Sequence, residues 1–246
     1  MENKKILISL GGFGPFIEEG DIDNILNPKL NEFYYWRDIK KRFGWFFKLP
    51  VTCLTREILT RYVEITRKAD YNNFTIREDK LYDKIVAPLE SAKLSYSLGN
   101  YLSAIATAGL SCESLTLYIW VAGNINIGKN KLSRKDEEIL FGKAFDDKLS
   151  QERRLNILKL FGLVEEDDYK KFNSIRDKRN KYLHIWKSSV EEKDYLSDAK
   201  EILVDSFYLY NKYLGPKLAN AGSLSIPKEL DQYLVKIKNY HELHRQ

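Results

Sequence analysis

The chain reads as an all-α protein, and three features predict this. Apolar residues recur at three- and four-residue steps from Thr55 onward. The long weakly charged stretch Leu94 to Gly128 splits naturally at Gly99-Asn100. Glycine and proline separate the periodic segments where helices would stop or start. No internal repeat and no low-complexity tract interrupts the pattern.

Taken in order, Lys4 to Leu10 is β-branched and apolar enough for a short strand, followed by Gly11-Gly12-Phe13-Gly14-Pro15. That loop lacks the Gly-Lys-Ser/Thr ending that contacts nucleotide phosphates and magnesium, which argues against a phosphate loop. Phe33, Tyr34, Tyr35, Trp36, Phe43, Trp45, Phe46 and Phe47 are interleaved with Arg37, Lys40, Lys41, Arg42 and Lys48. Such interleaving suits either stacking on single-stranded RNA or the anchoring of an N-terminal extension on the main body.

Ile58, Leu59, Tyr62, Val63 and Ile65 predict one helix, and Leu81, Ile85, Pro88, Leu89 and Ala92 another, kinked at Pro88. In Leu94 to Gly128 only Glu113 is formally charged, but serine, threonine and asparagine interrupt the stretch. A central carboxylate costs about 2.5–3.5 kcal/mol in a bilayer, so a buried helical hairpin is expected rather than a membrane span. Its second helix, Tyr101 to Val121, is expected to present Leu102, Ile105, Gly109, Cys112, Thr116 and Ile119 on one face, bordered by Glu113. Ser133-Arg134-Lys135-Asp136 is expected to cap a short helix. Leu149 to Phe161 predicts a helix that Gly162 would terminate. A basic helix then runs through Tyr169, Phe172, Ile175, Arg179, Tyr182 or Leu183, and Trp186. Leu196, Ala199, Ile202, Leu203, Phe207, Tyr210 and Leu214 predict the next, stopped by Gly215-Pro216, and Pro227 starts a C-terminal helix. The expected organisation is an aromatic and basic extension over 1–79, a helical bundle over 80–215, and a linker with a helix over 216–246.

The 246 residues carry a net charge of +5, mild evidence for an anionic partner. Its distribution says more: Lys170, Lys171, Arg176, Lys178, Arg179, Lys181 and Lys187 crowd the basic helix, preceded by Glu165, Glu166, Asp167 and Asp168. Acids leading and bases trailing suit a helix dipole and also suit a phosphate-binding surface. Cys53 and Cys112 are too few and too far apart for a disulfide framework or a zinc site, and the N-terminal apolar run is too short for a signal peptide, so a cytoplasmic protein is expected. His241 and His244 stand one turn apart without an obvious third ligand, and a surface position is the expected one. No metal site and no cofactor are predicted.

Arg179-Asn180-Lys181-Tyr182-Leu183-His184 carries the chemistry. Metal-free RNA cleavage requires a proton to leave the 2′-hydroxyl, a proton to reach the leaving oxygen, and a cation for the in-line phosphorane. His184 suits the first two as general base or acid, or as a positioner of the hydroxyl, and Arg179 the third. Asn180 would orient His184 or donate to a phosphate. Arg176, Lys178, Lys181, Lys170 and Lys171 are candidates for neighbouring phosphates, and Tyr182 for base stacking or core packing. Arg179 and His184 are five apart, about 140° round a regular helix. Either the helix distorts near Tyr182-Leu183, or the arginine wraps, or the site is shared between two chains.

This hexamer, with Ile175-Arg176-Asp177-Lys178 before it, resembles the R-x4–6-H signature of the HEPN superfamily. Leu98-Gly99-Asn100-Tyr101-Leu102-Ser103-Ala104-Ile105 and Gly109-Leu110-Ser111-Cys112-Glu113-Ser114-Leu115 are similar to that family's early hairpin, and Arg153 to Leu158 to its middle region, over roughly residues 80–215. The resemblance implies a HEPN-like antiparallel bundle in which small residues pack closely and Glu113 faces the motif helix. It also implies a dimer whose two motif helices meet, which favours the shared site. The activity it implies is a metal-independent endoribonuclease acting as a toxin or antiviral effector, restrained by an antitoxin or held in a defence complex. A non-catalytic HEPN module that binds RNA or nucleotide, or a helical scaffold, is the alternative; a plain helical interaction domain is a third.

Overall fold

The computed structural model describes residues 14–15, 17–30, 32–68, 85–123, 150–183 and 192–221, with isolated positions between 126 and 140. Within them the protein is all-α, and the one extended feature is a two-residue antiparallel ladder pairing Asn126 with Lys131 and Ile127 with Asn130. The helices are α1 (Ile22–Leu26), α2 (Phe33–Phe47), α3 (Arg56–Lys68), α4 (Ala87–Ser97), α5 (Tyr101–Ala122), α6 (Gln151–Leu160), α7 (Glu166–Leu183) and α8 (Glu192–Ala221).

The hairpin α4–α5 turns where the sequence splits it. Gly99 takes φ +83°, a left-handed conformation that a side chain would resist, and the Asn100 side chain caps α5 by accepting from the Ser103 amide at 3.2 Å. At about 33 Å, the 22-residue α5 is the spine of the bundle and packs against α4, α6, α7 and α8. It is also long and apolar enough, by length and composition, to cross a membrane, with just over half of that stretch buried inside the protein. Its buried face is Ala104, Ile105, Ala108, Cys112, Leu115 and Ile119; Leu102, expected there, is exposed, because it lies about 120° round the helix from Ala108, the middle of that face. Phe172 and Ile175 of α7 and Ala199, Ile202, Leu203, Phe207 and Tyr210 of α8 close the same core, whereas Leu196 at the start of α8 is exposed.

Two of the expected breaks involve prolines. Pro88 sits in the first turn of α4, which follows directly on the π-helical residues Ile85 and Val86, a change of helix type at the proline. Gly215-Pro216 does not stop α8, which continues to Ala221. The pre-proline clash that disfavours helix involves the preceding Cβ, and Gly215 has none. Gly162, by contrast, ends α6 as expected, at φ +68°. The strand expected at residues 4–10 and the helix from Pro227 lie outside the described residues; of the short helix expected after Ser133, Lys135 and Leu140 are described and both are helical.

The N-terminal helices have their own core. Trp36, Ile39, Phe43 and Phe47 of α2 join Ile22 and Ile25 of α1 and Leu59, Tyr62 and Val63 of α3. Gly14, at φ +79°, lies where a Cβ would stand 2.6 Å from the Tyr62 hydroxyl, and that hydroxyl donates to the Pro15 carbonyl at 2.6 Å. This end of the glycine-rich loop is therefore a packing device. One turn on, Ile65 joins the bundle core instead, so α3 serves both. Across this junction Arg61 Nε donates to the Ser97 carbonyl at 2.9 Å, and the buried Lys93 amine sits 3.8 Å from the Tyr62 ring centroid. Burial drives the Lys93 pKa well below the ordinary lysine value, against the pull of Glu90.

Candidate functional site

Arg179 stands just before the last turn of α7, and α5 is shaped to receive it. A Cβ at Gly109 would lie 2.3 Å from Arg179 Cδ and 2.8 Å from Cγ, so the arginine stem lies across bare α5 backbone. One turn further along α5, Glu113 Oε2 accepts from Arg179 Nη1 at 2.9 Å; Nη2 reaches the Asn180 carboxamide oxygen at 3.4 Å. The arginine is mostly buried, its Nε makes no hydrogen bond, and Glu113 stays more than a third exposed. The Nε is enclosed, so the donors left to meet a phosphate are the remaining Nη protons at the solvent margin. Of the four residues expected to act together, Arg179, Asn180 and Glu113 meet here. His184 follows directly after the end of α7 and lies outside the described residues, as do Trp186, Lys187, His241 and His244.

The basic residues expected to face phosphates are mostly engaged inside the fold. Lys178 pairs with Asp198 at 3.2 Å and Glu201 at 2.6 Å, Lys181 with Asp198 at 3.4 Å, and Lys171 with Asp205, all on α8. Lys171 is held above the ordinary lysine value, first by its hydrogen bond to Asp205. Arg176 lies between Glu152 at 3.3 Å and Asp177 at 3.0 Å. Lys170 differs: it is well exposed, and among the described residues its one ion pair is with the exposed Asp167 at 3.3 Å. The α8 acids Asp194, Asp198, Glu201 and Asp205 recur at three- and four-residue steps, a stripe that the sequence displays and that accounts for this neutralisation once α8 packs against α7.

Tyr182 is core, not a stacking surface. It is 4% exposed, packs on the Tyr195 ring at 4.9 Å and donates its hydroxyl to Asp198. Burial raises its pKa first, and the Asp198 carboxylate adds to this. For Asp198 itself burial works upward, yet the Tyr182 hydroxyl and the two lysines win and hold it below the usual aspartate value. A second polar contact escaped the sequence reading: Arg154 of α6, buried, donates to Thr116 Oγ1 at 3.2 Å, one turn below Glu113.

Other chemistry is weak here. Cys112 is buried beside Ser206 Oγ at 3.2 Å, and burial pushes its thiol up to about 12, so it is a poor nucleophile. Among the described residues no group of three His, Cys, Asp or Glu side chains is placed to hold a metal ion. Against family models, curated proteins and solved structures, nothing matches this chain. What the fold and site define is an all-α protein carrying an arginine seated on glycine and held by glutamate at the end of a basic helix.

Proposed function

We propose that this protein is a metal-independent endoribonuclease of HEPN type, acting as a toxin or defence effector. The observation that supports it most is the Arg179 seat: Gly109 and Glu113 fix a guanidinium with unspent donors five residues before His184. In this reading Arg179 holds the scissile phosphate and stabilises the charge gained in the transition state. His184 moves the proton of the attacking 2′-hydroxyl, or returns one to the leaving oxygen. Asn180 orients the guanidinium and Glu113 positions it. Lys170, whose exposed pair exchanges with solvent at little cost, is the lysine best placed to meet a flanking phosphate. A homodimer in which His184 of one chain serves Arg179 of the other answers their divergence of about 140° on one helix.

The test is cleavage of single-stranded RNA in EDTA. Ends carrying 2′,3′-cyclic phosphate are expected, with resistance when the scissile nucleotide is 2′-deoxy. His184→Ala should lower the rate roughly 10²–10⁴-fold, and Arg179→Lys severely, since lysine keeps charge but loses the planar fork. The rival reading is a non-catalytic RNA-binding or scaffold module, and the observation in its favour is that the same Arg179–Glu113 pair is a sufficient structural tie. Unchanged turnover in His184→Ala would select it.

A further inference from the structure

We propose that the outer stripe of α2 is a stacking platform for single-stranded RNA. It rests on the RNA reading above but names a surface remote from the motif helix. Taking about 100° per residue from Tyr34, Lys41, Trp45, Asp38 and Arg37 all fall within roughly 100° of arc, and Lys48, the left-handed cap residue, follows directly after the helix. Trp36, Ile39, Phe43 and Phe47 occupy the opposite side and are buried in the N-terminal core. The α2 aromatics thus divide into two populations. One anchors the extension. The other has no core to serve: Tyr34 is 87% and Trp45 74% exposed.

Burying neither ring, the fold leaves two large aromatic faces in water with cations between and beside them. Lys41 and Lys48 are exposed and have no ion pair among the described residues. Arg37 is exposed and lies 5.4 Å from the Phe33 ring, while the stripe's carboxylate, Asp38, is taken by Arg42 at 2.7 Å. The cations of the stripe are therefore uncompensated, in contrast to Lys171, Lys178 and Lys181 of α7, whose charge is met by α8. Aromatic faces interleaved with free cations fit the two invariant parts of a nucleic-acid strand, base π-faces and phosphates, without reading sequence. A protein partner or a lipid surface would be served by a continuous apolar patch, and here Lys41 separates the two rings. Tyr34 and Trp45 are eleven residues apart, about 16 Å along the helix, room for about five nucleotides at a stacked spacing of about 3.4 Å.

The experiment measures fluorescence anisotropy of a labelled ten-nucleotide 2′-O-methyl oligouridine, which cannot be cut, on the full chain. Tyr34→Ala and Trp45→Ala should each weaken binding roughly thirtyfold, the middle of the range for one stacked base, with little change in salt dependence. Trp45→Phe should recover most of the loss. Lys41→Ala and Lys48→Ala should each flatten the logarithmic salt slope by about 0.7. All four side chains project into water, so folding is unaffected and circular dichroism checks it. Wild-type affinity in Tyr34→Ala and Trp45→Ala overturns the proposal. So does unchanged oligonucleotide binding with altered light scattering or altered binding to anionic vesicles, which would give the stripe to a second copy or a membrane. Failure of the nuclease reading is separate: His184→Ala would cleave as wild type while the α2 variants still lost affinity.

Discussion

Gly109→Ala tests whether Arg179 is held by the surface of α5. The added methyl would meet Arg179 Cδ at 2.3 Å, Cγ at 2.8 Å and Cβ at 3.1 Å. The first two contacts are far inside van der Waals distance and belong to the stem, which cannot swing away without releasing Glu113. Overpacking of this kind costs about 1–3 kcal/mol, while replacing glycine by alanine inside a helix returns about 1 kcal/mol. The single variant should therefore range from neutral to about 2 kcal/mol less stable. In an Arg179→Ala background the Cγ and Cδ contacts vanish and only the 3.1 Å approach to Cβ remains, so Gly109→Ala should become neutral or stabilising. Urea unfolding of the four proteins completes a double-mutant cycle with a coupling of about 1–3 kcal/mol. Equal effects of Gly109→Ala in both backgrounds would refute the seat. In the proposed endoribonuclease reading, the single variant should also cleave more slowly while still folded, because the displaced guanidinium would no longer meet the phosphate.

Lys93→Met should stabilise the protein by roughly 1 kcal/mol or more at pH 7, since a buried amine is exchanged for an apolar chain of similar length. With its folded pKa depressed, Lys93 binds more protons when unfolded, so wild-type stability rises with pH toward the ordinary lysine value; the advantage of Lys93→Met should shrink by pH 10, as denaturation at the two pH values will show. Tyr182→Phe removes the hydroxyl donated to Asp198 and should cost about 1 kcal/mol at pH 7. Because the folded Asp198 pKa is lowered, that contribution exists above the ordinary aspartate value and is lost as pH falls through the folded one, so the gap between wild type and Tyr182→Phe should close in acid. Lys178→Ala should lower stability by up to about 1 kcal/mol and leave oligonucleotide affinity within twofold, since that charge already belongs to Asp198 and Glu201; a loss of affinity comparable to that of Lys41→Ala would place the phosphate path on α7.

Helix periodicity made much of this legible. Phe172, Ile175 and Tyr182, or Ala199, Ile202 and Leu203, announce their buried face because a face repeats every three or four residues. The Gly99-Asn100 turn and the Gly162 stop were equally readable, each depending on one residue's own backbone preference. Pro216 was not, because whether a proline ends a helix depends on what precedes it and on what continued helix gains, and local punctuation carries neither. The site divided in the same way. Arg179 and Glu113 stand 66 positions apart, and family resemblance rather than periodicity suggested their meeting. The fate of the α7 lysines depended on α8, whose acidic stripe becomes informative only once α8 is known to lie against α7. The two halves of the α2 aromatics likewise needed α1 and α3 to tell inside from outside.

Because α3 is a wall of two rooms, neither can be emptied alone. Leu59, Tyr62 and Val63 complete the N-terminal core, Ile65 the bundle core, and Glu64 between them accepts from the Tyr96 hydroxyl at 3.1 Å and pairs with Lys200 of α8. Peeling off the N-terminal helices would withdraw the ring over Lys93, the guanidinium on the Ser97 carbonyl and Ile65 from the bundle core, baring to water the apolar face of α4 beside the hairpin that carries Gly109 and Glu113. A chain cut near residue 80 would therefore inherit a wound rather than a boundary, and the seat of Arg179 owes part of its rigidity to residues a hundred positions upstream.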